Sequence, residues 1–232
     1  MKIGLFSDPH YSTAPVTCEK RYNNQSLLKI QTALDHFQAK NCDLVICLGD
    51  LIDTEDNHAQ EIINLQKVAD IFHASPLKII TVMGNHDAFR FEVEEFYRIL
   101  GEQYRPQLTS MEGNHFLFLD ACHFKTSIHY MPGDEDWTDT YFPHTDDLER
   151  TLSALNGNIY VFLHQNIDPA VCPLHRLYNA AEICSIIEQH SNVRAVYQGH
   201  YHPGMKSEYG GVPYITLPAM CENTDAYYVI EV

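Results

Sequence analysis

Residues 2–10 read KIGLFSDPH. An apolar run of strand type stops at Ser7, and a carboxylate, a proline and an imidazole follow at once: Asp8, Pro9, His10. A strand whose apolar residues run continuously, without alternation, is one buried on both faces. In an open α/β sheet, ligands bind outside the carboxyl ends of such strands. Five further runs are of the same kind: DLVICLG at 43–49, KIITVMG at 78–84, HFLFLDA at 115–121, NIYVFLH at 158–164 and VRAVYQGH at 193–200. Four of these five also lead into metal-type ligands. The run at 43–49 continues into GDLID, with Asp50 and Asp53; that at 78–84 into GNHD, with Asn85, His86 and Asp87. The run at 158–164 ends in His164-Gln165, and the last continues into GHYH, with His200 and His202.

Helical spacing fills the intervals. Leu27, Leu28, Ile30, Leu34 and Phe37 form one face of a helix over residues 24–40, and residues 59–75, 146–155 and 179–191 carry similar patterns. Strand–helix alternation predicts an α/β architecture with parallel crossovers. The β-rich tail, GGVPYITLPAM and AYYVIEV, predicts a hairpin or sheet edge in a second, mixed sheet packed on the first. With no repeat and no linker-like tract, residues 1–232 are expected to form a single domain. The stretch 123–145 has no periodicity and is long for a structureless connection, so it is expected to be a lid or binding loop.

Charge and composition narrow the function. The formal net charge of −16 repels phosphate backbones and makes nucleic acid an unlikely partner. No segment is long and apolar enough to span a bilayer, and the N-terminal ten residues turn polar too soon for a signal peptide. The seven cysteines contain no CxxC pair, as expected of reduced thiols in a cytoplasmic protein. There are 14 histidines, the commonest metal ligands among side chains.

Alternate residues of an extended segment point the same way, so Asp8 and His10 are expected to face one site, as are His200 and His202. The glycines before Asp50, Asn85 and His200 permit tight turns and close backbone approach. Asp8, His10, Asp50, Asn85, His164, His200 and His202 make a nitrogen–oxygen donor set without thiolate, suited to Mn, Fe or Zn. Seven donors are too many for one catalytic ion with open positions and suit two ions sharing a carboxylate.

D-x-H, GD-x-x-D, GNH-D, a strand-terminal His and GH-x-H, in this order from about residue 3 to 202, resemble the calcineurin-like metallophosphoesterase superfamily. The resemblance implies a four-layer α/β/β/α sandwich with two mixed sheets flanked by helices. It implies that Asp8, His10 and His202 hold one ion, that Asn85, His164 and His200 hold the other, and that Asp50 bridges them. His86 would be the acid at the leaving group, oriented by Asp53. The implied reaction is phosphoester hydrolysis by a metal-bridging hydroxide, with two cations neutralising charge on the phosphoryl oxygens.

Phosphoprotein phosphatases of this superfamily carry Arg after the second Asp of GD-x-x-D, where this chain has Thr54. Small-molecule phosphodiester or pyrophosphate substrates, such as nucleotide derivatives, are expected instead. Residues 19–37 and 179–202 resemble the manganese-dependent ADP-ribose/CDP-alcohol pyrophosphatase branch and are compatible with cyclic-nucleotide phosphodiesterases. The pyrophosphatase branch often has Gln where this chain has His10. A broad phosphomonoesterase and a non-catalytic interaction scaffold are the alternatives. Asp87 is expected to serve the turn or to support the site residues from behind. Arg21 and Arg90 are candidate phosphate contacts, or else solvated surface charges, and His123, His129 and His144 are weaker substrate candidates. The aromatic-rich DWTDTYF is expected to stack on a substrate ring or to cover the sheet.

Overall fold

The computed structural model describes residues 1–232. In chain order the first half contains β1 (Lys2–Phe6), α1 (Ser26–Ala39), β2 (Leu44–Cys47), α2 (His58–Ala74), β3 (Ile79–Thr81), the single turn α3 (Asn85–Ala88) and α4 (Val93–Leu100). The second half contains β4 (Thr109–Met111), β5 (Asn114–Leu119), α5 (Thr145–Ala154), β6 (Asn158–Leu163), α6 (Ala180–Glu188), β7 (Val193–Gln198), β8 (Met205–Tyr209), β9 (Val212–Thr216) and β10 (Tyr227–Glu231). They build two mixed sheets, ordered β10-β1-β2-β3 and β4-β5-β6-β7-β9-β8.

The continuous apolar runs have a simple cause. Each strand feeds two cores at once, because successive side chains leave opposite faces. In the first sheet Ile3, Leu5, Leu44, Ile46, Leu48, Ile80 and Val82 face the second sheet, where Phe116, Tyr160, Phe162, Ala195 and Tyr197 meet them. The alternate residues Phe6, Val45, Cys47 and Ile79 face α1 and α2, against Ile30, Leu34, Phe37, Leu65, Val68 and Phe72. Gly4 belongs to that outer face because the Phe37 ring lies on it, leaving no room for a Cβ. Across the molecule Ile159, Val161, Leu163, Val193 and Val196 pack against Leu148 and Leu152 of α5 and Ile183 and Ile187 of α6. The result is the expected four-layer α/β/β/α sandwich.

Helix α2 starts at Asn57, whose side chain accepts from the Gln60 N–H at 3.0 Å and meets one of the free donors of the first turn. The tail supplies an edge to each sheet: β9 makes a hairpin with β8 at one edge of the second sheet, whose other edge is β4. The last strand crosses back and pairs antiparallel with β1, Lys2 opposite Glu231 through Phe6 opposite Tyr227. Without β10 a strand buried on both faces would expose its unpaired backbone groups at an edge. Residues 123–145 carry no helix or strand up to α5, only the isolated bridges of His123 with His129 and Tyr141.

Candidate metal centre

The carboxyl ends of β1, β2, β3, β6 and β7 converge, and the loops leaving them run side by side. Asp8 and His10 donate their backbone N–H groups to the carbonyls of Gly49 (3.1 Å) and Asp50 (2.9 Å), so the first two loops are stitched together. The convergence of Asp8 and His10 is not that of an extended segment. Asp8, His10, Asp50 and His200 have φ of 54°, 46°, 53° and 64°, the left-handed region that non-glycine residues seldom enter. Such strain clusters at functional sites, where surrounding structure over-determines it.

Two glycines make room for the carboxylates. A Cβ at Gly84 would run into the carboxylate of Asp50, and one at Gly199 would meet the hydroxyl of Ser7 and, at 2.8 Å, Asp8 Oδ2. Asp87 ties two blocks together: its Oδ1 accepts from Leu51 N (2.9 Å) and Ile52 N (3.3 Å), and its Oδ2 from Gly84 N (3.0 Å).

The donor atoms form two sets that share one oxygen. His164 Nε2 lies 3.2 Å from Asp50 Oδ2 and 3.2 Å from Asn85 Oδ1, and His200 Nδ1 lies 2.9 Å from the same Asn85 oxygen. On the other side His10 Nε2 lies 3.4 Å from Asp50 Oδ2, 3.2 Å from His202 Nε2 and 3.8 Å from Asp8 Oδ1, and His202 Nε2 is 3.6 Å from Asp8 Oδ1. Ligands about 2.1 Å from a cation stand about 3.0 Å apart at octahedral corners and about 3.4 Å apart at tetrahedral ones. The donor sets fit divalent ions on those distances.

Outer partners aim the rings. His164 Nδ1 meets the Leu48 carbonyl at 2.6 Å, and His202 Nδ1 meets Glu222 Oε1 at 2.6 Å, which leaves each Nε2 for a metal. His86 is half-buried, with Nδ1 3.1 Å from Asp53 Oδ1. Asp53 also accepts from Asn23 Nδ2 at 2.9 Å and Thr17 Oγ1 at 3.1 Å.

The electrostatics follow from burial and proximity. Burial, then the charge on His86, lowers His10 to a pKa of about 4; burial, then His164, lowers His200 to about 3. Both rings are therefore neutral donors at neutral pH. Burial would lower His164 too, but Asp50 outweighs it and raises the ring to about 9. Burial likewise opposes the charge on His86, which Asp50 and Asp53 nevertheless raise above its ordinary value. Burial, followed by the charge on Asp50, raises Asp87 to about 7.

The site opens into a cavity of about 340 Å³ lined by Asp50, Asn85, His86, His200 and His202, with Lys20 and Arg21 on one side and Trp137, His175 and Tyr201 on another. Arg21 Nη1 stands 3.5 Å from Asp53 Oδ2. Arg90 faces Glu61 (3.7 Å) and Glu135 (3.9 Å) and does not line the cavity. His123, His129 and His144 cluster with one another, their ring centroids 4.8 and 5.7 Å apart, outside it. Glu222, His175 and Lys20 were not anticipated from sequence. Glu222 sits in the irregular segment after β9 with no pattern to mark it.

The profile of the calcineurin-like phosphoesterase family matches residues 1–204. This chain belongs to that family. As a calcineurin-like phosphoesterase it is a metal-dependent phosphoric ester hydrolase. A "probable cyclic nucleotide phosphodiesterase" of Fibrobacter succinogenes is 22% identical to it over 214 residues, which span 88% of this chain and 74% of that protein. The 3′,5′-cyclic adenosine monophosphate phosphodiesterase CpdA of Haemophilus influenzae is 25% identical over 228 residues, 94% of this chain and 73% of its own. Among solved structures, a dimetal phosphatase from Danio rerio superposes with a TM-score of 0.81 at 17% identity, covering 98% of this chain and 91% of its own, a likeness of fold.

Proposed function

We propose that this calcineurin-like phosphoesterase, acting as a single domain over residues 1–232, hydrolyses small-molecule phosphodiesters or pyrophosphates of the nucleotide class at a two-ion centre. The observation that carries the reading is the pair of donor sets sharing Asp50 Oδ2, with the His86–Asp53 pair beside them. Asp8, His10 and His202 would hold one ion, Asn85, His164 and His200 the other, and Asp50 both. Mn, Fe or Zn suits this donor set. When bound, two such ions supply Lewis-acid neutralisation of the phosphoryl charge and a water acidic enough to attack.

The chain's own residues do the rest. Asp53 engages His86 Nδ1, so Nε2 is left toward the cavity, and Asp50 and Asp53, outweighing burial, raise the ring above its ordinary pKa and favour a proton on it. That proton is available to the leaving oxygen. Glu222 and the Leu48 carbonyl hold the tautomers of His202 and His164. The cavity is at the small end of the roughly 300–1,000 Å³ span of small-ligand sites, which supports a substrate the size of a mononucleotide. Both relatives are named as cyclic-nucleotide phosphodiesterases, which makes cyclic nucleotides the first substrates to try. Seven free cysteines support a cytoplasmic setting.

The test is hydrolysis of bis-p-nitrophenyl phosphate with and without Mn²⁺, followed by 2′,3′-cyclic AMP, 3′,5′-cyclic AMP, ADP-ribose, CDP-choline and p-nitrophenyl phosphate. Metal-dependent turnover of diesters or pyrophosphates is expected. A protein carrying two ions that cleaves only the monoester would replace this reading with a phosphomonoesterase.

A further inference from the structure

The cavity has an unequal lining. Lys20 and Arg21 enter it from the segment after β1, beside the His86–Asp53 pair. On the side of His200 the wall is aromatic. Trp137 comes from the long 123–145 connection and His175 from the connection between β6 and α6. Their rings stack, with centroids 5.1 Å apart and an interplanar angle of 23°. Each turns an edge-type contact to His200, at 5.5 and 5.7 Å, and His175 also meets the Tyr201 ring at 5.3 Å. Trp137 and His175 are each only half-buried and open to the cavity. Trp137 packs in part against the core that holds Phe89 and Phe91, but unlike those buried rings it keeps exposed surface on the cavity.

We propose that Trp137 and His175 form the specificity wall of the site, taking the planar base of a nucleotide whose phosphate lies at the metal centre. The inference rests on the nucleotide-class reading above and adds which part of the substrate is recognised, and by what. Stacking on an aromatic face is tolerant of base identity, because every base presents a π-face. The wall therefore selects for a base without choosing strongly among adenine, cytosine and guanine. A small diester without a ring lacks that contact.

Trp137 is the single tryptophan of the chain, so its fluorescence reports on this wall alone. The metal-loaded protein is titrated with AMP and with ribose 5-phosphate, which share the sugar phosphate and differ by the base. AMP is expected to quench the emission and to bind about tenfold or more tighter than ribose 5-phosphate, the scale that base stacking supplies. Isothermal titration calorimetry of the metal-loaded protein reads the same ratio in variants that have lost the fluorophore. Trp137→Ala is expected to bring the AMP affinity down to that of ribose 5-phosphate, and Trp137→Phe to keep most of the difference. His175→Ala, which retains the indole, provides a second fluorescent variant and is expected to weaken AMP by several-fold.

Equal binding of the two ligands by the native protein, or an unchanged ratio in Trp137→Ala, would overturn the wall. Binding is read without turnover, so the two readings separate. Base-dependent quenching in a protein that cleaves no diester would uphold the wall and count against the hydrolytic reading.

Discussion

At the scale of single residues, the division of labour between His86 and the metal donors is the sharpest point. His86 Nδ1 contacts Asp53 at 3.1 Å; a ring nitrogen also lies within 4.8 Å of donor atoms of His10 and Asp50, but both donor sets are formed without it. His86→Ala is expected to retain two ions by metal analysis and to lose about 10²–10⁴-fold in kcat, the span of general acid–base catalysis, most for substrates with poor leaving groups. Loss of an ion in that variant would make His86 a ligand. His164 supplies a pH dependence. Its folded pKa of about 9 lies above the ordinary 6.5, so in the metal-free protein its charge adds stability that is full below about pH 6.5 and is lost as pH rises through about 9. A metal must displace that proton, so apparent affinity should climb with pH until about 9. Calorimetric titration in buffers of differing ionisation heat should show about one more proton released at about pH 7.5 than at about pH 10. Equal release at both would remove His164 from the ligand set. All seven proposed donors were legible as residues that end or follow apolar runs; Glu222, which orients His202, was not, because nothing local marks it.

At the scale of elements, the site is a consequence of how the strand-end loops abut. Gly84 between β3 and α3 has ordinary backbone geometry (φ −97°), so its requirement is steric. Gly84→Ala would press a methyl group into the Asp50 carboxylate. The expected outcome is a folded protein, by circular dichroism, with metal affinity reduced by tenfold or more. Native affinity in that variant would show that the two loops can part without cost to the centre. Asp8 and His10 do meet, with 3.8 Å between His10 Nε2 and Asp8 Oδ1, but not as alternate residues of an extended segment. Pairing with the loop after β2 bends that segment into left-handed turns, and cross-loop hydrogen bonds are invisible to local spacing.

At the scale of the whole molecule, two sheets and two helical layers hold the proposed ligands, drawn from residues 8 to 202, in one place. Ions bound by all of these residues bind only the folded chain, so they stabilise it by mass action. Saturation at a hundred times the dissociation constant adds about 2.7 kcal/mol per ion, which for a domain of this size raises the Tm by about 5–10 °C for each ion bound. Scanning calorimetry with Mn²⁺ and after chelation should show that difference, and Asp50→Asn should abolish most of it. An unchanged Tm on chelation of a protein shown to hold two ions would mean that the donors do not bridge the sheets.

The apolar runs and the residues that end them were enough to read the layering and the candidate donors. Strands that bury both faces must be apolar throughout, and ligands that interrupt such runs stand out against them. Tertiary structure alone decided the left-handed turns at Asp8, His10, Asp50 and His200, the return of β10 to β1, and the meeting of Trp137 with His175. It alone decided the carbonyl of Leu48 behind His164 and the carboxylate of Glu222 behind His202. The reason is range: a strand and its terminus are written within ten residues, whereas a ring's orienting partner is chosen by packing between segments far apart in the chain.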